Sequence, residues 1–178
     1  MSIASIAAFY PPRYQPYRKR QEPTWLEALY AWRDRTRSKL TWVEEFRREK
    51  NNVVTHIMTP VLTCTVYENP DEDTQMYLRR AANNPADALE GAKSAVRSRL
   101  GRGLLLEFYG RVEDSGEEKS HCRYTVVDIS YTYVLDNRPI TECRAMGSTK
   151  NDARQRAARQ LLESGVYCMF SRKSKRMH

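Results

Sequence analysis

Apolar residues first recur at helical spacing after Thr24, where Trp25, Leu29 and Trp32 fall on one face. Thr24-Trp25-Leu26-Glu27 reads as a capping box, in which the Thr hydroxyl and the Glu carboxylate each satisfy an end amide. Beyond Ser38 the spacing becomes that of strands: Leu40-Thr41-Trp42-Val43 and residues 53–67 are rich in β-branched and aromatic side chains. Asn69-Pro70-Asp71-Glu72-Asp73 marks a turn, and 74–82 reads as a returning strand. Asn84-Pro85 predicts a second helix, with Asn as N-cap and Pro at the first helical position. It runs through Ala88, Ala92 and Val96 to Leu100 and stops at Gly101 and Gly103. Strand patterns return at 104–112 and 122–135, the second placing Val127, Ile129, Tyr131, Tyr133 and Leu135 on one face. After Asp136-Asn137-Arg138-Pro139 a third covers 140–146, and a last helix follows Gly147 and ends at Gly165.

The predicted order is helix, three strands, helix, three strands, helix, which is an α+β chain. The second set repeats the first at an offset of about 65 residues: His56 meets His121, Arg79 meets Arg144, Asp87-Ala88 meets Asp152-Ala153, and Ala92 meets Ala157. The expected organisation is a flexible basic arm at 1–23, a degenerate unit at 24–100, a second unit at 84–165 that shares the helix 84–100, and a basic tail at 166–178.

Composition adds three constraints. With 178 residues and 40% of them apolar, the chain has room for one domain or two small ones and enough apolar surface for a core. The net charge of +8 is shared by both halves and is the balance of a folded protein that touches phosphate. Cys64, Cys122, Cys143 and Cys168 form no Cys-x-x-Cys pair, and no apolar stretch is long enough for a signal peptide or a membrane span. Reduced thiols in the cytoplasm or nucleus are expected. The first 21 residues carry four cations and no acid, as mitochondrial presequences do, but Pro11, Pro12 and Pro16 would break the required helix.

The densest chemistry lies in Gly147-Ser148-Thr149-Lys150-Asn151-Asp152-Ala153-Arg154. Thr149 suits the N-cap, with Asp152 answering three residues on. A helix N-terminus offers free N–H groups and a positive dipole end, which favours phosphate. Lys150 and Arg154, four apart, stand on one face near that end, with Asn151 beside them as a polar reader. Ala153, Ala157 and Leu161 occupy the core face, where the small alanines let the helix lie close on a sheet.

This run resembles the opening of the second helix in the double-stranded-RNA-binding domain family, a Gly-Ser-Lys-Lys-x-Ala-Lys-like motif. The resemblance is clearest over 84–165, and it implies an α-β-β-β-α domain preceded by a degenerate copy sharing the middle helix. It also implies that Lys150 and Arg154 grip phosphates. Asn151 replaces the family's second Lys, which implies weaker binding. Gly116 and His121 resemble the family's Gly-x-x-His loop between its first two strands, with Lys119 as a cation in that loop; their spacing is longer than usual. The function implied is binding of double-stranded or structured RNA by shape and phosphate contacts, without catalysis and without a cofactor. Two other readings stay open: a protein-interaction or dimerisation module of the same fold, and a structural component of a ribonucleoprotein.

Other chemistries find little support. Adjacent ligands such as His121-Cys122 point to opposite strand faces, so with Cys143 they make no zinc site. Asp71-Glu72-Asp73, and likewise Glu113, Asp114, Glu117 and Glu118, read as solvated loops. No catalytic triad, Walker-type loop or acidic nuclease signature stands out. Arg172-Lys173-Ser174-Lys175-Arg176 reads as an import signal, an extra phosphate contact or a solubilising end.

Overall fold

A computed structural model describes residues 14–101, 104–116 and 122–171. In chain order the elements are β1 (Tyr14–Pro16), α1 (Trp25–Thr36), β2 (Lys39–Arg48), β3 (Val54–Glu68), α2 (Glu72–Leu78), β4 (Ala81–Ala82), α3 (Pro85–Leu100), β5 (Leu104–Asp114), β6 (Tyr124–Pro139), a 3-10 turn (Thr141–Cys143), β7 (Ala145–Gly147), α4 (Lys150–Ser164) and β8 (Met169–Ser171). The chain is of the α+β class with antiparallel strand pairs. Among the described residues no helix is long and apolar enough to cross a membrane.

Local signals account for most of these bounds. Thr24 and Glu27 form the capping box of α1, the Thr24 Oγ1 accepting from Glu27 N and Glu27 Oε2 accepting from Thr24 N. Asn84 caps α3 by accepting from Asp87 N at 2.9 Å, and Thr149 caps α4 by accepting from Asp152 N at 3.0 Å. Three expectations change. The stretch 74–82 is mainly helix α2, because Asp71 caps it by accepting from Thr74 N and acids fill its first turn. β6 runs on through Asp136–Pro139 instead of turning there, and a 3-10 turn at Thr141–Cys143 precedes the three-residue β7. Finally, parts of the supposed arm and tail are paired strands: Tyr14–Pro16 lies antiparallel to Met169–Ser171.

Two compact units form, and they are not the tandem stretches 24–100 and 84–165. One is the central segment Tyr67–Tyr133. The other joins the described residues up to Val66 with those from Val134 onward. Both boundaries fall inside long strands, β3 and β6.

The flanking-segment unit runs α1, β2, β3, the end of β6, β7, α4, with the β1–β8 ribbon. β2 pairs with β3 from Lys39↔Thr63 to Arg48↔Val54, and β7 pairs with the other edge of β3. The end of β6 returns beside β3, with Ile140 N donating to Pro60 O and Asn137 N to Thr63 Oγ1, each at 2.8 Å. α1 and α4 pack on each other, burying Leu26, Leu29, Trp32, Ala153, Ala157 and Leu161. At about 25 cal/mol per Å2 of apolar area, burying Leu29 or Leu161 contributes roughly 2 kcal/mol each. Gly147 is required where β7 meets α4: a Cβ there would lie 2.5 Å from Ala153 N.

The central unit contains α2, β4, α3, β5 and most of β6. β4 pairs with β6 antiparallel, β5 pairs with β6 on its other side, and α3 packs against β4 and β5. Its core holds Leu78, Ala88, Ala92, Ala95, Val96, Val126, Ile129 and Tyr131. Asp128 takes a left-handed conformation that interrupts β6, and Gln75 fills the ladder there: its Oε1 accepts from Ile129 N at 2.8 Å and its Nε2 donates to Ile129 O. The Tyr131 hydroxyl donates to Glu68 Oε2 at 2.7 Å, which satisfies a buried polar group.

Candidate functional site

α4 begins where the sequence places it, and its first turn carries Lys150, Asn151 and Arg154. Lys150 and Asn151 are exposed and Arg154 is partly buried. Both cations already have a counter-ion. Glu44 on β2 receives Lys150 Nζ at 3.3 Å on one carboxylate oxygen and the Arg154 guanidinium on the other. The strand register explains this meeting. Glu44 pairs with Met58, and Met58 pairs with Ala145, so the Glu44 side chain shares the sheet face of two buried residues. The hydrogen bonds from Lys150 and then Arg154 hold the Glu44 carboxyl below its usual 4.5. The local charge is thus two cations less one acid, not two free cations.

Lys119 and His121 lie outside the described residues, but the strand ends that flank them, β5 and β6, are in the central unit, whereas Lys150 is in the flanking-segment unit. The base of that hairpin is closed by Arg123 on Asp114, at 2.7 Å and 2.9 Å, and by Ser115 N donating to Arg123 O. Gly116 takes φ +74° and donates its N–H to Asp114 Oδ1. The helix packed on α4 is α1.

What the fold brings to the α4 N-terminus is the β2–β3 hairpin. His56 sits between Phe46 and Gly147 in register, two residues before the Thr149 cap, so the hairpin tip lies at the same end of the sheet as the helix start. The tip is Arg47, Arg48, Glu49, Lys50, Asn51 and Asn52, all exposed. Its turn is closed by Glu49 N donating to Val53 O and Asn52 N to Glu49 O, with Asn52 at φ +59°. Among the described residues no ion pair involves Arg47, Arg48 or Lys50, while Glu45, on the outer face, takes Arg144 at 3.3 Å. The signal for this tip is the run Arg47-Arg48-Glu49-Lys50-Asn51-Asn52, which lies in the unit read from the sequence as degenerate.

Nucleophilic chemistry has no footing in the thiols of the flanking-segment unit. Burial pushes Cys64 up to about 12 and Cys143 to about 11, and raises Cys168 well above 9.0. Cys122, in the central unit, is exposed. Among the described residues no group of three or more His, Cys, Asp or Glu side chains is arranged to hold a metal.

No family model matches the chain, and no curated protein and no solved structure matches it.

Proposed function

We propose that the flanking-segment unit is a domain of the double-stranded-RNA-binding type and that it binds structured RNA by shape and phosphate contacts. The observation that carries this reading is one assembly of α1, β2, β3, β7 and α4 with a basic hairpin tip and a helix N-terminus at the same sheet end. Arg47, Arg48 and Lys50 supply cations at the first position, and Lys150 with Asn151 at the second. A-form RNA presents a shallow minor groove and phosphates across the adjoining major groove, which two such separated elements bridge. His56 is then a histidine beside the helix start. Glu44 occupies the place a phosphate would take, so binding exchanges a carboxylate for a phosphate on Lys150 and Arg154.

The test is fluorescence anisotropy of the whole chain with a blunt RNA duplex of about 20 base pairs, longer than the roughly 16 such a domain spans. A DNA duplex of the same sequence is the competitor. Preference for the RNA duplex, lost in R47A/R48A/K50A and in K150A, supports the reading. Equal binding to DNA, or binding unchanged by both variants, overturns it. The second reading, a protein-contact module, is favoured by the Glu44 bridge. Under it the chain ignores the duplex, and E44Q does not create binding.

A further inference from the structure

A second basic surface lies away from the α4 start, in the β1–β8 ribbon. A groove of about 590 Å3 opens there, lined by Arg18, Arg20 and Arg35 together with Tyr17, Phe170 and Gln15. All of these belong to the flanking-segment unit. Three guanidinium groups line it, and among the described residues no carboxylate does. Nor does any ion pair among the described residues involve Arg18, Arg20 or Arg35. Three like charges around one concavity repel each other unless an anion joins them.

The groove is built on fixed parts. Tyr17 N donates to Cys168 O at 2.7 Å, which extends the ribbon past Pro16. Trp32, fully buried in α1, donates its Nε1 to Met169 O at 3.0 Å and ties β8 to the helix. Tyr17 meets Phe170 edge-on at 5.9 Å, and the Arg35 guanidinium stands 5.2 Å above the Phe170 ring. Phe170 thus carries the Arg35 guanidinium over its ring and Tyr17 at its side, beside two further arginines. Guanidinium groups match phosphate oxygens in pairs, and planar bases stack on aromatic rings and on guanidinium planes. The volume suits one or two nucleotides, within the usual range for ligand pockets.

We infer that this groove binds a short single-stranded segment of nucleic acid, with Arg18 and Arg20 on successive phosphates and a base stacked on the Arg35 guanidinium that Phe170 holds in place. The site is independent of the duplex surface at the hairpin tip and α4, so each stands without the other.

The experiment uses the whole chain and a fluorescent ten-nucleotide oligouridylate, with three competitors: unlabelled oligouridylate, inorganic polyphosphate and poly-glutamate of similar charge. The expected result is salt-sensitive binding with a log–log slope of about −1.4 for two phosphates on a single strand. R18A/R20A weakens it at least tenfold, and R35A weakens it while leaving the thermal midpoint in place. K150A and R47A/R48A/K50A leave it unchanged, which separates this site from the duplex site. Both Arg18 and Arg20 are exposed, so their loss does not endanger folding. R35K retains the charge and loses the plane; it binds like R35A if the base stacks there. Polyphosphate or poly-glutamate competing as well as the oligonucleotide overturns the inference, as does full binding by R18A/R20A.

Discussion

Glu44 is the residue on which the behaviour of the candidate duplex surface turns. One carboxylate holds both cations that the sequence assigns to phosphate. Replacing it by Gln keeps size and hydrogen-bonding capacity and frees Lys150 and Arg154. Anisotropy with duplex RNA at several salt concentrations is expected to show tighter binding by E44Q, with a log–log slope steeper by about 1–2. Unchanged affinity and slope would mean that these two cations stay off the RNA. The pH dependence follows from the lowered pKa. The carboxylate is already ionised at 4.5, and the pairing it contributes is present above that value and is lost as pH falls through the lower folded value. Duplex affinity of the natural chain should therefore rise only in acid below 4.5, and that rise should be missing in E44Q.

The stretches that the sequence pairs at an offset of about 65 residues share several local features. Asn84 and Thr149 both cap by accepting from the N–H three residues on, at Asp87 and Asp152. Arg79 and Arg144 both end short helical turns with nearly the same backbone angles. Ala88, Ala92 and Val96 are buried in α3 as Ala153, Ala157 and Leu161 are in α4. Equivalent caps have equivalent energies, so N84A and T149A should each cost about 1 kcal/mol in urea unfolding. A much larger loss in one would show that its Asn or Thr also holds something beyond its helix. The copies diverge at the close approach: Gly147 has Ala82 as its counterpart, so only β7 lets its helix start this near the strand.

Across the molecule, the two stretches that the sequence pairs as copies exchange halves. The unit containing α4 takes α1, β2 and β3 from the first copy, and the central unit takes α2, β4 and α3 from the first with β5 and most of β6 from the second. A fragment of residues 84–178 keeps the basic run of α4 but lacks α1, β2 and β3, on which α4 and β7 pack. It is expected to show poor amide dispersion by NMR and fast hydrogen exchange across 145–164, whereas the whole chain protects that stretch. A well-dispersed, protected fragment would mean that tandem packing is also open to this chain.

Caps, strand alternation and the repeat could be read directly, because each is encoded within a few residues of where it acts. Thr24 with Glu27, Asn84 with Pro85, and Gly147 before Thr149 needed no distant partner. The start of α4 and the identity of Lys150, Asn151 and Arg154 were legible for the same reason. Choice of partner was not. Two similar copies offer each helix two similar sheets, and neither periodicity nor charge distinguishes them. Strand length does, once the chain is folded: β3 has 15 residues and β6 has 16, so each runs past the end of one unit into the other and carries the following elements with it. That is why Glu44 and the 47–52 tip come to the start of α4.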